Sequence, residues 1–175
     1  LFMITMAGSV AIARAIRKEY GIGALIKWPN DIFIGDKKVG GLLLELAAEA
    51  DTVHYALLGI GIDANISLTE LSSPLKDILT SLEAVVGHEV DRVALLARVL
   101  REFELRYQQL EDGEYDSIIR EWKSLSMTID QRVVIKTINK TFAGEAIDID
   151  AHGALLIRKD NGKVERVIAG DCFQF

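Results

Sequence analysis

The 175-residue sequence is 50% hydrophobic and 26% charged, which is typical of a globular protein that is large enough for a hydrophobic core. Its formal net charge is −6 and its pI is about 5.1, so the composition argues against a nucleic-acid-binding surface. Cys172 is the single cysteine, which excludes a disulfide within these residues and is typical of the reducing cytoplasm. We therefore expect a cytoplasmic protein without a nucleic-acid partner.

Residues 1–16 are apolar enough to suggest a signal peptide, but they lack a basic leader and a cleavage site. The run is also shorter than the about 20 apolar residues that span a bilayer, so no membrane partner is expected. We predict a buried helix that ends near Tyr20, before Gly21, with a face of small residues against a sheet: Ala7, Gly8, Ala11 and Ala15. Because this helix opens at Leu1 without a capping residue, we expect a fragment of a longer chain.

Strands are predicted next at 24–28, 32–35, 38–47 and 53–63. Pro29 breaks the first strand and leaves Asn30 and Asp31 exposed at its end. Gly40 and Gly41 interrupt the strand that returns after a tight turn, which allows a bulge or lets a ligand lie against the backbone. The stretch from Lys27 to Glu45 thus collects cations, carboxylates and an amide around turns, as a site for a charged substrate requires.

The fourth strand ends in Gly59-Ile60-Gly61-Ile62-Asp63-Ala64-Asn65. A Gly-x-Gly pair without a further glycine and a following helix is not a dinucleotide fingerprint. Taken alone, the segment indicates a buried strand with two bulge glycines.

Three helices are expected after this strand. Ser73 and Pro74 begin the first, which is predicted to run to Val86 before Gly87. Asp91 caps the second, whose apolar face is predicted to carry Val93, Leu96, Val99, Leu100, Phe103 and Tyr107. The third is predicted from Tyr115 to Trp122. The charged residues of the second helix are expected to face solvent and are assigned no chemistry: Glu102, Glu104 and Arg106.

From about residue 127 the pattern changes to five short β runs, at 132–138, 142–149, 154–158, 164–168 and 171–175. Their even spacing predicts a small closed barrel. The predicted fold class is α+β, with a mixed, mostly antiparallel sheet covered by helices over 1–126 and the barrel over 127–175. The three histidines have no ligand spacing, so a histidine metal site is not expected: His54, His88 and His152.

The run Lys27-Trp28-Pro29-Asn30-Asp31, followed by Lys38 and Gly40-Gly41, resembles the central motif of biotin protein ligases. The segment from Leu58 to Asn65 is similar to the one that closes their adenylate pocket, and the last strands are similar to their SH3-like terminal domain. The resemblance implies a class II synthetase-like catalytic domain that lacks its N-terminal part, followed by that terminal domain.

The resemblance implies ATP-dependent activation of biotin as biotinyl-adenylate and its transfer to a lysine on the biotin-carrier domain of a carboxylase. It implies two catalytic residues, Lys38 as the cation between the two reacting anions and Asp31 as a Mg²⁺ ligand or as the acceptor of a proton. The residues do not separate these two roles of Asp31. The implied substrate- and nucleotide-binding residues are Lys27, Trp28, Asn30, Gly40, Gly41, Gly59, Gly61, Asp63 and Asn65.

Two of these assignments have competing interpretations. Lys27 is equally well explained as a surface lysine whose stem lies on apolar surface. Trp28 is better explained by packing behind the motif than by stacking on a ligand. Asp63 stands where the family has an asparagine, and since a carboxylate does not donate to an adenine ring nitrogen, altered nucleotide affinity or selectivity is expected.

The family also has an earlier glycine- and arginine-rich loop and a biotin-contacting strand, and neither occurs in these residues. We therefore expect an exposed sheet edge and exposed apolar surface on the first helix. Either the missing segment is a separate or cleaved chain, or the fragment is inactive on its own. The alternatives are a non-catalytic biotin- or adenylate-binding docking module and, among enzymes, a lipoate protein ligase. The oligomeric state is not fixed by the sequence, and a homodimer stays open.

Overall fold

A computed structural model describes residues 2–49 and 52–174, without the side chains of residues 48, 52 and 70. The first part of the chain contains α1 (Phe2–Tyr20), β1 (Ala24–Lys27), β2 (Asp31–Ile34), β3 (Lys37–Glu49), β4 (Thr52–Ile62), a 3-10 turn (Leu68–Glu70), α2 (Ser73–Ile78), α3 (Leu82–Val86), α4 (Arg92–Glu111) and α5 (Tyr115–Leu125). The second part contains β5 (Arg132–Lys136), β6 (Thr141–Ile149), β7 (Leu155–Arg158), β8 (Val164–Val167) and β9 (Asp171–Gln174). In the part of the chain so described, no helix has the length and apolarity that crossing a membrane requires.

The first four strands form an antiparallel meander in the order β1-β2-β3-β4, and α1 packs across one face of it. A Cβ on Gly8 would lie 2.6 Å from Leu42 Cδ2 and 3.0 Å from Leu58 Cδ2, so the helix approaches the sheet too closely for a larger residue. Single parallel bridges, such as the one from Ile26 to Ser126, add to this sheet. The predicted α+β class and the close packing of α1 are confirmed.

The expected exposure of apolar surface on α1 is wrong, because the sheet covers one side of this helix and α4 and α5 cover the other. Apolar side chains are exposed instead on β3, β4 and α4: Leu43, Leu46, Val53, Tyr55, Leu57, Val93, Leu96, Leu100 and Tyr107. Four of the six residues predicted on the core face of α4 are therefore exposed. The face of α4 that meets α1 carries Leu95, Val99, Glu102 and Arg106, which also recur at helical spacing.

Glu102 and Arg106 are buried, with 1% and 8% of their surface exposed, so the expectation that they face solvent is wrong for both. Arg106 Nη1 lies 2.6 Å from Glu102 Oε2, and Arg106 Nη2 lies 2.8 Å from Glu121 Oε1. Lys18 Nζ lies 2.7 Å from Glu102 Oε1, and Arg14 Nε lies 2.6 Å from Glu121 Oε1. This helix ion network, made of these five residues, ties α1, α4 and α5 together.

The single helix predicted from Pro74 to Val86 is interrupted. The Thr80 N–H donates to the Lys38 carbonyl at 2.8 Å, and Leu79 forms a parallel bridge with Lys38, so the chain is extended there. Ser81 then caps α3 by accepting from the Ala84 N–H at 3.2 Å. Pairing with β3 thus overrides the helical propensity of this segment.

The last five strands form one antiparallel sheet in the order β8-β7-β6-β5-β9, close to the predicted runs. Closure of this sheet into a barrel stays a prediction. Its apolar residues, such as Val133 and Leu155, belong to the same buried cluster as Ile26 and Trp28 of the first sheet region. The two parts of the chain therefore share a continuous core.

Candidate active site

An open cleft of about 530 Å³ lies on the face of the first sheet opposite α1, where β2, β3 and β4 run side by side. The turn before β2 and the segment after β4 close its ends. Its lining residues are Asn30, Asp31, Lys38, Gly40, Gly41, Leu42, Leu43, Gly59, Ile60, Gly61 and Asp63. The structure thus brings together eight of the eleven site residues proposed from the sequence.

Lys38 and Asp31 form an ion pair in this cleft, with 2.5 Å between Nζ and Oδ1. A shift of register between β2 and β3 pairs Ile32 with Gly40 and Phe33 with Lys38, so that Val39 is the extra residue of a bulge. Val39 is fully buried, whereas the side chains of Lys38 and Asp31 are 37% and 29% exposed. The bulge therefore turns the charged pair toward the cleft.

Asp63 contributes a second carboxylate on the cleft wall. Its backbone N–H donates to the Val39 carbonyl at 2.8 Å, which fixes it beside the bulge. Burial raises the pKa of Asp63 above its ordinary value, and the positive charge of Lys38 offsets only part of this rise. Asp63 is thereby a better proton acceptor near neutral pH than an exposed aspartate.

The four glycines of the cleft fall into two kinds. A Cβ on Gly40 would lie 2.6 Å from the Gly61 carbonyl oxygen, and a Cβ on Gly41 would lie 2.9 Å from Asp31 Oδ1 and 3.2 Å from Lys38 Nζ. The backbone contact therefore requires glycine at Gly40, whereas at Gly41 a Cβ would press only on the flexible side chains of Asp31 and Lys38. At Gly59 and Gly61 the nearest atoms would be 3.6 Å and 3.8 Å away, so a side chain would fit there. The absence of side chains at these two positions leaves a bare backbone floor.

Asn30 lies in the cleft, but its amide already has a partner. Its Nδ2 donates to the Leu42 carbonyl, and the Leu42 N–H donates to the Asn30 carbonyl at 3.0 Å. This reciprocal pair fixes the turn to β3 immediately beside Asp31. The side-chain Oδ1 of Asn30 makes no hydrogen bond among the described contacts.

Three other proposed residues are placed outside the cleft. Trp28 is 1% exposed and lies in the core. Lys27 Nζ lies 5.0 Å from the centroid of the Phe33 ring. The side-chain amide of Asn65 donates from Nδ2 to the Val90 carbonyl and accepts at Oδ1 from the Val90 N–H, both at 2.9 Å. The structure gives these side chains positions that are already explained by packing or hydrogen bonding.

Sequence reasoning missed the extended segment Leu79–Thr80, whose bonds to the Lys38 backbone fix the strand that carries the cation. The signal that could have found it is Ser81, which is a favourable N-cap in the middle of the predicted helix.

A larger cleft of about 630 Å³ lies between the β5–β6 and β8–β9 turns, lined by 136–140 and 165–171. This cleft also contains an ion pair, between Lys140 and Glu165, but its lining includes one glycine, Gly170, where the first cleft has four. The open glycine backbone beside the ion pair therefore favours the cleft on the first sheet as the candidate active site.

Comparison with known proteins finds two matching families. The biotin/lipoate A/B protein ligase family matches residues 1–63, and the biotin protein ligase C-terminal domain matches residues 128–173. The first match contains the turn, the ion pair and all four cleft glycines.

Among sequence relatives, the bifunctional ligase/repressor BirA of Bacillus subtilis is 36% identical over 168 residues, which cover 96% of this chain and 51% of that protein. The biotin–[acetyl-CoA-carboxylase] ligase of Paracoccus denitrificans is 27% identical over 79% of this chain and 58% of that protein. The chain spans about half the length of the curated relatives that it matches.

Among solved structures, the biotin protein ligase from Aquifex aeolicus in complex with biotin and ATP has a TM-score of 0.85 at 23% identity, over 100% of this chain and 72% of that chain. This similarity shows the fold. The two family matches and the relative from Bacillus subtilis show that this chain belongs to the biotin protein ligase family.

Proposed function

We propose that this chain carries the active-site floor of an ATP-dependent biotin protein ligase, which forms biotinyl-adenylate and transfers the biotinyl group to a lysine of a biotin-carrier domain of a carboxylase. The observation that carries the proposal is the Lys38–Asp31 pair beside a bare glycine floor, within the stretch that matches the family. The name of the Paracoccus denitrificans relative, and the biotin and ATP in the Aquifex aeolicus complex, supply the substrates: biotin, ATP and a carboxylase. The ATP requirement and Cys172 favour a cytoplasmic location.

In the first step, a carboxylate oxygen of biotin attacks the α-phosphorus of ATP, and the bond from that phosphorus to the pyrophosphate oxygen breaks. Two anions must approach each other, so a fixed cation between them lowers the barrier. Lys38 is the cation that lines the cleft, and its backbone is fixed on both sides, by β2 and by Leu79–Thr80. We assign this role to Lys38.

In the second step, the amine of the acceptor lysine attacks the biotinyl carbonyl carbon, and AMP leaves. The amine must first lose a proton, because a lysine has a reference pKa of about 10.4. Asp31 and Asp63 are the carboxylates of the cleft, and burial raises the pKa of Asp63 above its ordinary value. We assign the acceptance of this proton to Asp31 and Asp63.

Magnesium would arrive with ATP. The two cleft carboxylates suit a hard cation that binds one or two carboxylates together with phosphates and keeps several waters. Asp31 is the residue that we assign to it, and the ion would neutralise phosphate charge when bound. Among the described residues, no group of three or more metal-binding side chains is found.

The proposed activity is tested by biotin-dependent release of pyrophosphate from ATP. The 175-residue chain is assayed alone and after addition of the half of the Bacillus subtilis relative that this chain does not match. Release by the chain alone, or only with the added half, supports a ligase; the second result also supports a separate N-terminal chain. Absence of release in both assays overturns the enzymatic proposal and favours the docking module.

Replacing Gly59 with alanine is expected to raise the KM for biotin or ATP about tenfold without loss of stability. A Cβ at this position meets no atom of the chain closer than 3.6 Å, so the unfolding free energy should change by less than about 0.5 kcal/mol. The new methyl group would, however, occupy the floor on which we place the ligand. Steady-state kinetics and urea unfolding measure the two effects.

Gly40→Ala is the matched comparison, because its methyl group would lie 2.6 Å from backbone. This variant should lose stability as well as activity. An unchanged KM in Gly59→Ala would show that the ligand does not lie on this floor.

A further inference from the structure

The turn that carries Asn30 and Asp31 is fixed on its buried side by hydrogen bonds from Trp28 to the C-terminal part of the chain. The Trp28 backbone N–H donates to Thr128 Oγ1 at 3.0 Å, and the Trp28 indole Nε1–H donates to the Gly153 carbonyl at 3.3 Å. These bonds join residues that are 100 and 125 positions apart in sequence. Trp28 and Thr128 are both buried, at 1% and 0% exposure.

Thr128 is itself fixed by several contacts. The hydroxyl of Ser126 accepts from the N–H groups of Thr128 and Ile129, at 3.1 Å and 3.3 Å. On either side of this turn, the Met127 N–H donates to the Ile26 carbonyl at 2.9 Å and the Asp130 N–H donates to the Ala146 carbonyl at 2.7 Å. The turn that contains Thr128 thus bridges the first sheet, through Met127 and Ile26, and the second sheet, through Asp130 and Ala146 of β6.

The chain between Trp28 and the reacting groups is short and has little freedom. Pro29 follows Trp28 directly, and the amide of Asn30 is bonded to the Leu42 carbonyl. A displacement of Trp28 would therefore be passed to Asp31, two residues beyond Pro29, and to the ion pair with Lys38.

We infer that Thr128 is a positioning residue for the candidate active site, whose hydroxyl fixes Trp28 and through it the turn that carries Asp31. Thr128 does not line the cleft and touches none of the groups that we assign to chemistry. Its effect is on the placement of the carboxylate, where a small error in geometry costs a large factor in rate. This inference rests on the proposed function and adds to it a role for the C-terminal part of the chain.

The test compares Thr128→Val, which keeps shape and burial but removes the hydroxyl, with Thr128→Ser, which keeps the hydroxyl. In the chain or mixture that supports pyrophosphate release, we expect Thr128→Val to lower kcat about tenfold or more, with the KM for biotin within about threefold of wild type. Thr128→Ser should restore kcat. Asp91→Ala, which removes the N-cap of α4 and does not line the cleft, is the control for general loss of stability.

A wild-type kcat in Thr128→Val, or an equal fall of kcat in Asp91→Ala, overturns the inference while leaving the ligase proposal intact. If no preparation releases pyrophosphate, amide hydrogen exchange tests the role of Thr128 without a measurement of activity. The N–H groups of Trp28 and Asp31 should then exchange about tenfold faster or more in Thr128→Val, but not in Thr128→Ser. Unchanged exchange in the valine variant overturns the inference.

Discussion

Replacing Lys38 with alanine is expected to lower biotin-dependent pyrophosphate release by about 10²–10³-fold while leaving the fold intact. The cleft holds a single lysine among its lining residues, so no other side chain there replaces the lost positive charge. The partner Asp31 is 29% exposed and remains solvated without it, so the stability lost should be under about 1 kcal/mol. Single-turnover release and thermal unfolding, followed in the same preparation, measure both quantities.

Lys37→Ala is the matched control for this variant. Lys37 is the neighbouring residue on β3, does not line the cleft, and donates from Nζ to the Lys76 carbonyl at 2.8 Å. Its removal should leave pyrophosphate release within about twofold of wild type, as expected for a surface change away from the site. Near-normal release by Lys38→Ala would reject the assigned role of Lys38 but not membership of the family.

Replacing Arg106 with methionine is expected to lower the free energy of unfolding by about 3–5 kcal/mol, because it leaves two carboxylates without their shared cation. One of them, Glu102, is 1% exposed and keeps only Lys18 as a partner, while Glu121 keeps Arg14. Urea unfolding of the purified chain measures the change. The double variant with Glu102→Gln should recover part of the loss, since it removes the charge left in the core.

Glu104→Gln is the control for this variant. Glu104 lies on the same helix but is exposed, so its replacement should change the unfolding free energy by less than about 0.5 kcal/mol. A similarly small effect of Arg106→Met would mean that the helix ion network does not stabilise the fold.

Acid should weaken the same network. Burial would raise the pKa of Glu102, but the hydrogen bond from Lys18 and the charge of Arg106 outweigh it, so the pKa lies below its ordinary value of 4.5. A carboxyl whose pKa falls on folding contributes stability above its unfolded pKa and loses it as the pH falls through the folded pKa. The stability difference between wild type and Glu102→Gln should therefore shrink below pH 4.5.

The sequence was sufficient to bring most of the proposed site residues together because their proximity depends on local geometry. Pro29 ends a strand, a tight turn returns the chain, and antiparallel pairing then places Lys38 beside Asp31. The glycines of two adjacent strands complete the floor. Every one of these relations is a short-range consequence of turns and strand pairing, which sequence patterns report well.

What could not be predicted depends on contacts distant in sequence. The burial of Glu102 and Arg106 follows from the packing of α4 on α1, and both faces of α4 have helical periodicity. The extended Leu79 is explained by its pairing with Lys38, about forty residues earlier. The sequence favoured packing behind the motif for Trp28, and its burial agrees with this, but the bond from its indole N–H to Gly153 in a different part of the chain was not predicted.

The Lys38–Asp31 pair also implies how a negatively charged ligand enters the cleft. Because both side chains are about one-third exposed, their attraction is worth under about 1 kcal/mol, so a phosphate can displace Asp31 from Lys38 at little cost. Under the proposed function, Asp31 would neutralise Lys38 in the empty protein, and a ligand that takes its place would release it to take a proton or a metal ion. Ligand entry would in this way be an exchange of anions that prepares the carboxylate for its own role.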